Sequence, residues 1–213
     1  MNKTAFILAY ALFPLPPVLL YLAGAGWPLD LYALSIALGV YAYCFACAQL
    51  VLAARPAWAQ KALGQKGLRG FHAAAPLGII LLGLGHRFLK SAAGFDMESF
   101  KASVGGVGLA LMAALSLLAF LFMAIIGGSL GAQLKELRSK ASARGLDYKR
   151  TRALHALIAI AVPLLGLHLF LASSSVFARN PSGSVLLAVY ALASLYSFIK
   201  YRIAGRVPAK EKG

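Results

Sequence analysis

Six apolar runs, each long enough to cross a bilayer, restrict this chain to very few folds. They fall near 5–25, 31–54, 70–90, 104–128, 153–177 and 184–203. About 20 apolar residues in helical form cover a hydrocarbon core of about 30 Å. Inside lipid every backbone N–H and C=O must find a partner within the protein, which leaves helices and closed barrels. No stretch alternates polar and apolar residues as a barrel strand does. The expected fold is an all-α integral membrane protein, a six-transmembrane-helix bundle forming a single domain over 1–213. A charged fraction of 13% and a mean hydropathy of +0.77 agree with it.

The net charge of +15 raises nucleic acid as a partner, but the placement of the charges argues for the lipid bilayer and no nucleic acid. Arg55, Lys61, Lys66 and Arg69 lie in the second connection, and Lys135, Arg138, Lys140, Arg144, Lys149, Arg150 and Arg152 in the fourth. Lys200, Arg202, Arg206, Lys210 and Lys212 make up the tail. The first connection has no basic residue and the fifth has Arg179; the third offsets Arg87, Lys90 and Lys101 with Asp96 and Glu98. Basic residues concentrate on the cytoplasmic side of membrane proteins, so both N and C termini are expected in the cytoplasm. The expected location is a bacterial inner (plasma) membrane, crossed several times. The first run has a small-residue sequence, Ala23-Gly24-Ala25, that would suit signal cleavage. Its length and Pro14, Pro16 and Pro17 instead predict a retained first helix bent by proline.

Two sequence features bear on chemistry. Cys44 and Cys47 form a Cys-Phe-Ala-Cys segment inside the second run, where an apolar interior disfavours the thiolate that redox chemistry requires. They are read as small packing residues, and no histidine follows them as covalent heme attachment would need. The second feature is histidine. The chain has four, His72 and His86 in the third run and His155 and His168 in the fifth, fourteen and thirteen residues apart. Polar imidazoles within a membrane are costly and tend to be functional.

Each pair spans about 20 Å along a helix, so one member lies near each face of the bilayer. The third and fifth helices run in the same direction. His72 and His155 therefore share an inner level, and His86 and His168 an outer one. Two facing imidazoles at each level form a frame for two stacked hemes. Fourteen helical residues return to within about 40° of the starting direction, whereas thirteen end about 140° away. The fifth helix is therefore expected to be distorted near Pro163, turning both rings toward the third helix, with a smaller adjustment at Pro76. Gly70, Gly83, Gly85 and Gly166 stand near the histidines and suit close approach of a flat macrocycle or ordinary helix packing. Arg87, with Lys90, suits the propionates of an outer heme, and Arg69 and Arg152 those of an inner one; the same residues also suit ordinary interfacial anchoring. With both axial positions filled, such a centre passes electrons rather than binding substrate. A packed polar residue or a proton relay would explain a lone histidine, but four of four at matched depths on parallel helices favour two hemes.

At residues 68–90 and 150–170 the chain resembles the heme-bearing transmembrane domain of the ferric reductase and NADPH oxidase superfamily, which carries two histidine pairs on its third and fifth helices. The resemblance implies two b-type hemes, His72 and His155 holding the inner iron and His86 and His168 the outer. It implies a membrane cytochrome, a probable oxidoreductase subunit, moving electrons to an extracytoplasmic acceptor such as ferric iron. The family commonly continues into FAD- and NADPH-binding domains; no glycine-rich dinucleotide fingerprint is found here. Any FAD or FMN is thus expected through a partner, and the donor is a cytosolic flavin reductase or a membrane quinol. A similar compact relative is the heme-binding membrane subunit of a periplasmic methionine sulfoxide reductase system, which feeds a periplasmic reductase instead. A membrane thiol oxidoreductase using Cys44 and Cys47, or a proton-coupled transporter using the histidines, are the competing classes.

Overall fold

A computed structural model describes residues 2–123, 128–172 and 180–204. Arg179, Arg206, Lys210 and Lys212 lie outside the described residues, as do 124–127 and 173–177 of two expected helices. The described chain is all helical, with six segments long and apolar enough to cross a membrane. Its helices are α1 (Lys3–Leu12), α2 (Leu15–Gly24), α3 (Leu31–Ala53), α4 (Ala57–Ala92) and α5 (Phe100–Met123). They continue as α6 (Gly128–Ala143), α7 (Tyr148–His155), α8 (Ile158–Leu171) and α9 (Pro181–Ala204). The first span is α1 with α2, and the fifth is α7 with α8.

Local chemistry explains the ends and breaks. Asn2, Asp30 and Asp147 accept the backbone N–H three residues on and open α1, α3 and α7. The α1–α2 joint falls at Phe13 and Pro14, where the prolines predict a bend. An α-helix would satisfy the Phe13 carbonyl with the N–H of residue 17, and Pro17 has none. Tyr190 of α9 takes that place, its hydroxyl donating to Phe13 O at 3.1 Å while its ring stacks on Phe13 at 4.2 Å. The missing helical bond thus ties the first span to the last.

α4 is longer than the run near 70–90 suggests, because it begins beneath the preceding connection and breaks at Gly64 (φ 69°, ψ 164°), a conformation open to glycine. It carries Pro76 within the helix, with helical dihedrals on both sides of it. α6 lies in the basic fourth connection, which the apolar pattern leaves unassigned. Its Leu, Lys, Glu and Ala are good helix formers, and Glu136 pairs with Lys140 one turn on at 2.6 Å. Arg138 donates to the Leu121 carbonyl of α5.

α3 is the axis of the bundle. More than half of its most apolar stretch is buried, against less than a third in each other span. It packs on α2, α4, α8 and α9, while α5 packs on α4, α7 and α8. Small residues of α3, including Ser35, Ala42, Cys44, Ala46 and Cys47, let these neighbours close in. The bundle thereby brings α4 and the α7–α8 span together between α3 and α5. Leu81, Leu84 and Phe88 of α4 face outward, as a lipid-covered surface requires.

Candidate functional site

All four histidines meet in pairs. His72 on α4 and His155 at the end of α7 have ring centres 6.2 Å apart, with ring planes at 77°. His86 on α4 and His168 on α8 have centres 6.1 Å apart, with planes at 74°. The pairing is the one that depth alone predicts from the sequence.

The unequal spacings are reconciled by a change of winding. The fifth span breaks at Ala156 and Leu157, immediately after His155, rather than at Pro163. Around the break the N–H groups of Ala156, Leu157, Ala159 and Ile160 bond to carbonyls three residues back instead of four. Such 3₁₀ winding turns about 120° per residue, so four residues add about 80° and shrink the 140° mismatch to about 60°. The corresponding angle between His72 and His86 is about 40°. Rise is corrected as well. Thirteen α-residues rise about 19.5 Å and fourteen about 21 Å; the longer 3₁₀ rise restores about 2 Å. Pro163 lies one turn beyond this stretch, where its missing N–H leaves the Ala159 carbonyl without its α-helical partner.

The second nitrogen of each ring is largely committed. His86 Nδ1 donates to the Ser35 carbonyl at 2.7 Å and His168 Nδ1 to the Lys101 carbonyl at 2.6 Å. His72 Nδ1 donates to Gln49 Oε1 at 2.7 Å. His155 Nδ1 is directed at the Leu115 carbonyl without reaching hydrogen-bond geometry. A proton on Nδ1 leaves Nε2 with its lone pair, the arrangement of a metal-ligating imidazole.

Two glycines make the close approach at one level possible. A Cβ on Gly39 would lie 2.8 Å from His86 Nδ1, and one on Gly105 would lie 2.6 Å from His168 Nδ1. Each stands four residues after the accepting carbonyl, so the ring lies flat over one helical turn in both cases. These glycines, and Gln49, escaped the sequence reading; their signal was a glycine inside an apolar helix, too common to single out. The glycines it did name serve other contacts. Gly83, Gly85 and Gly166 admit Leu109, Leu38 and Tyr43, and Gly70 faces open space.

His86 and His168 line a cavity that is partly open to the surroundings. Its walls are apolar, including Ile36, Val40, Leu109, Met112 and Leu165. Arg87, Lys90 and Lys101 stand at its polar end with Asp96. Arg87 reaches across α5 at Gly106, where a Cβ would come within 3.0 Å of its guanidinium. Lys90 Nζ lies 4.1 Å from the ring centres of both Tyr32 and Phe95, which hold it by cation–π contact. Near the other pair, Arg69 and Arg152 are exposed on α4 and α7, three residues before His72 and His155. Arg55 holds a left-handed conformation (φ 51°) at the end of α3, where glycine is usual.

Two imidazole nitrogens ligating one metal at about 2 Å each, with ring centres about 1 Å further back, put the centres about 6 Å apart. The measured 6.2 and 6.1 Å fit this at both levels. No group of three or more histidine, cysteine or carboxylate side chains is placed to hold a metal among the described residues. No known protein family, curated protein or solved structure matches the chain. The likeness drawn from the histidine pairs therefore stands on those residues alone. Cys44 and Cys47 are free thiols, fully buried in α3 away from any opening.

Proposed function

We propose that this chain is a di-heme b-type membrane cytochrome carrying single electrons across the bilayer. His72 and His155 would hold the heme iron at one level, and His86 and His168 the iron at the other. The observation that carries the reading is the repeated pair: two imidazoles with centres 6.2 or 6.1 Å apart, each level stacked above the other on the same two spans. A heme bound at each level supplies a one-electron couple with no open coordination position. The chain does the rest. Ser35, Lys101 and Gln49 hold imidazole Nδ1 protons so that Nε2 faces the metal. The apolar walls of the cavity would exclude water from a bound macrocycle, and Arg87, Lys90 and Lys101 would balance the charge of its carboxylates. At the first level Arg69 and Arg152 are the candidates for that role.

At the His86/His168 level the commitment of Nδ1 to backbone carbonyls also speaks against a proton relay, since a peptide carbonyl neither delivers nor accepts a proton for transport. The proposed orientation follows the charge distribution: termini in the cytoplasm, the His72/His155 level inside, the His86/His168 level outside. The donor is then a cytosolic flavin reductase or a membrane quinol, and the acceptor is extracytoplasmic, ferric iron or a periplasmic reductase. Replacing His168 with alanine tests the assignment. One heme per chain should remain, with the His72/His155 couple intact; retention of two bis-imidazole hemes would refute the ligand set.

A further inference from the structure

The two levels differ in how their histidines are held. At the His86/His168 level both Nδ1 groups bond to backbone carbonyls, whose position the helices fix. At the His72/His155 level one ring has a side-chain acceptor, Gln49, and the other falls short of a bond. Gln49 lies in α3 and is 6% exposed. Its Oε1 accepts from His72 at 2.7 Å, and its Nε2 donates to the Tyr10 hydroxyl of α1 at 2.9 Å. Tyr10 is clamped in turn. Its ring stacks on Phe45 of α3 at 4.6 Å and meets the edge of Phe71, beside His72, at 4.8 Å.

An amide is ambiguous by itself: turned over, it would present its NH₂ to the ring. Nδ1 would then have to accept, the proton would move to Nε2, and the ring would no longer ligate a metal. With Nε2 donating to the Tyr10 hydroxyl on the opposite side, Oε1 is the group turned to the ring. We infer that Gln49, held in place by Tyr10, is a positioning residue that gives His72 Nδ1 its acceptor and thereby sets the redox potential of the heme at that level alone. This rests on the di-heme reading above. An acceptor on Nδ1–H makes the imidazole a stronger donor to iron, which favours the oxidised metal. Removing the acceptor should therefore favour reduction.

The test uses the full-length, heme-loaded protein in potentiometric titration followed by visible absorption. A His168→Ala background isolates the His72/His155 couple and identifies it. Gln49→Leu, close in volume but without an acceptor, should raise that heme's reduction equilibrium constant about tenfold, or 59 mV for one electron, leaving the other couple in place. Selective loss of the same heme is the stronger form of this result. Tyr10→Phe keeps the ring stack and should shift the same couple in the same direction by less; it decides the matter if Gln49→Leu does not accumulate. Unmoved potentials, or equal movement of both couples, would overturn the inference while leaving the di-heme reading standing. Wild-type protein without heme would overturn both.

Discussion

Replacing Gly105 with alanine puts the geometry of the His86/His168 level to a severe test with a single methyl group. The added Cβ would lie 2.6 Å from His168 Nδ1 and 2.7 to 2.8 Å from two ring carbons, where ordinary contact begins at 3.4 Å. The ring must therefore move about 0.8 Å, more than the tolerance of about 0.5 Å that a ligand set allows. Moving away also bends the 2.6 Å bond to the Lys101 carbonyl and weakens it. Overpacking at such a site costs about 1–3 kcal/mol. Loss of a ligand's supporting bond alone typically lowers metal affinity 10–100-fold. The variant should fall from two hemes toward one per chain, by pyridine hemochrome assay against protein concentration. The heme that remains, at the His72/His155 level, reports that the bundle has folded. Gly78→Ala on α4, where a Cβ meets nothing within 4 Å, is the matched control and should keep both. A Gly105→Ala protein with two hemes at unchanged potentials would refute the reasoning.

Three further outcomes follow from the same geometry. Pro163→Ala should let 156–160 return toward α-helical winding and swing His155 away from His72; the heme at that level should decline first in a titrated heme-to-chain ratio, and a normal ratio would show that the break does not depend on the proline. Imidazole planes at 77° and 74° predict strongly anisotropic low-spin EPR signals from both oxidised centres, whereas a rhombic signal of parallel rings would contradict the ring orientations. Joint replacement of Cys44 and Cys47 by alanine should leave heme content and electron transfer intact; loss of electron transfer with both hemes present would revive a thiol mechanism.

What the sequence made legible is what depends on local pattern. Apolar length marks all six spans, and direction plus spacing is enough to pair His72 with His155 and His86 with His168. The arithmetic of thirteen against fourteen residues also exposes the need for a distortion in the fifth span. It does not place it. A proline marks where a hydrogen bond is missing, while the adjustment spreads over the preceding turn, and here it settles at Ala156 and Leu157. The supports of the histidines were out of reach for a different reason. Ser35, Gln49 and Lys101 stand 51, 23 and 67 residues from the rings they hold. Nothing in the neighbourhood of a histidine reveals such a partner, and two of the three act through backbone carbonyls that every residue owns. Gly39 and Gly105 matter only because a ring from another helix lies on them. α6 is a polar helix, and hydropathy has no means of finding one.

The most direct measurement is a dithionite-reduced minus oxidised visible spectrum of the purified full-length chain, with heme quantified per polypeptide. The account predicts two low-spin b hemes per chain, falling to one in His86→Ala or His168→Ala. A chain that folds in membranes and contains no heme would contradict it.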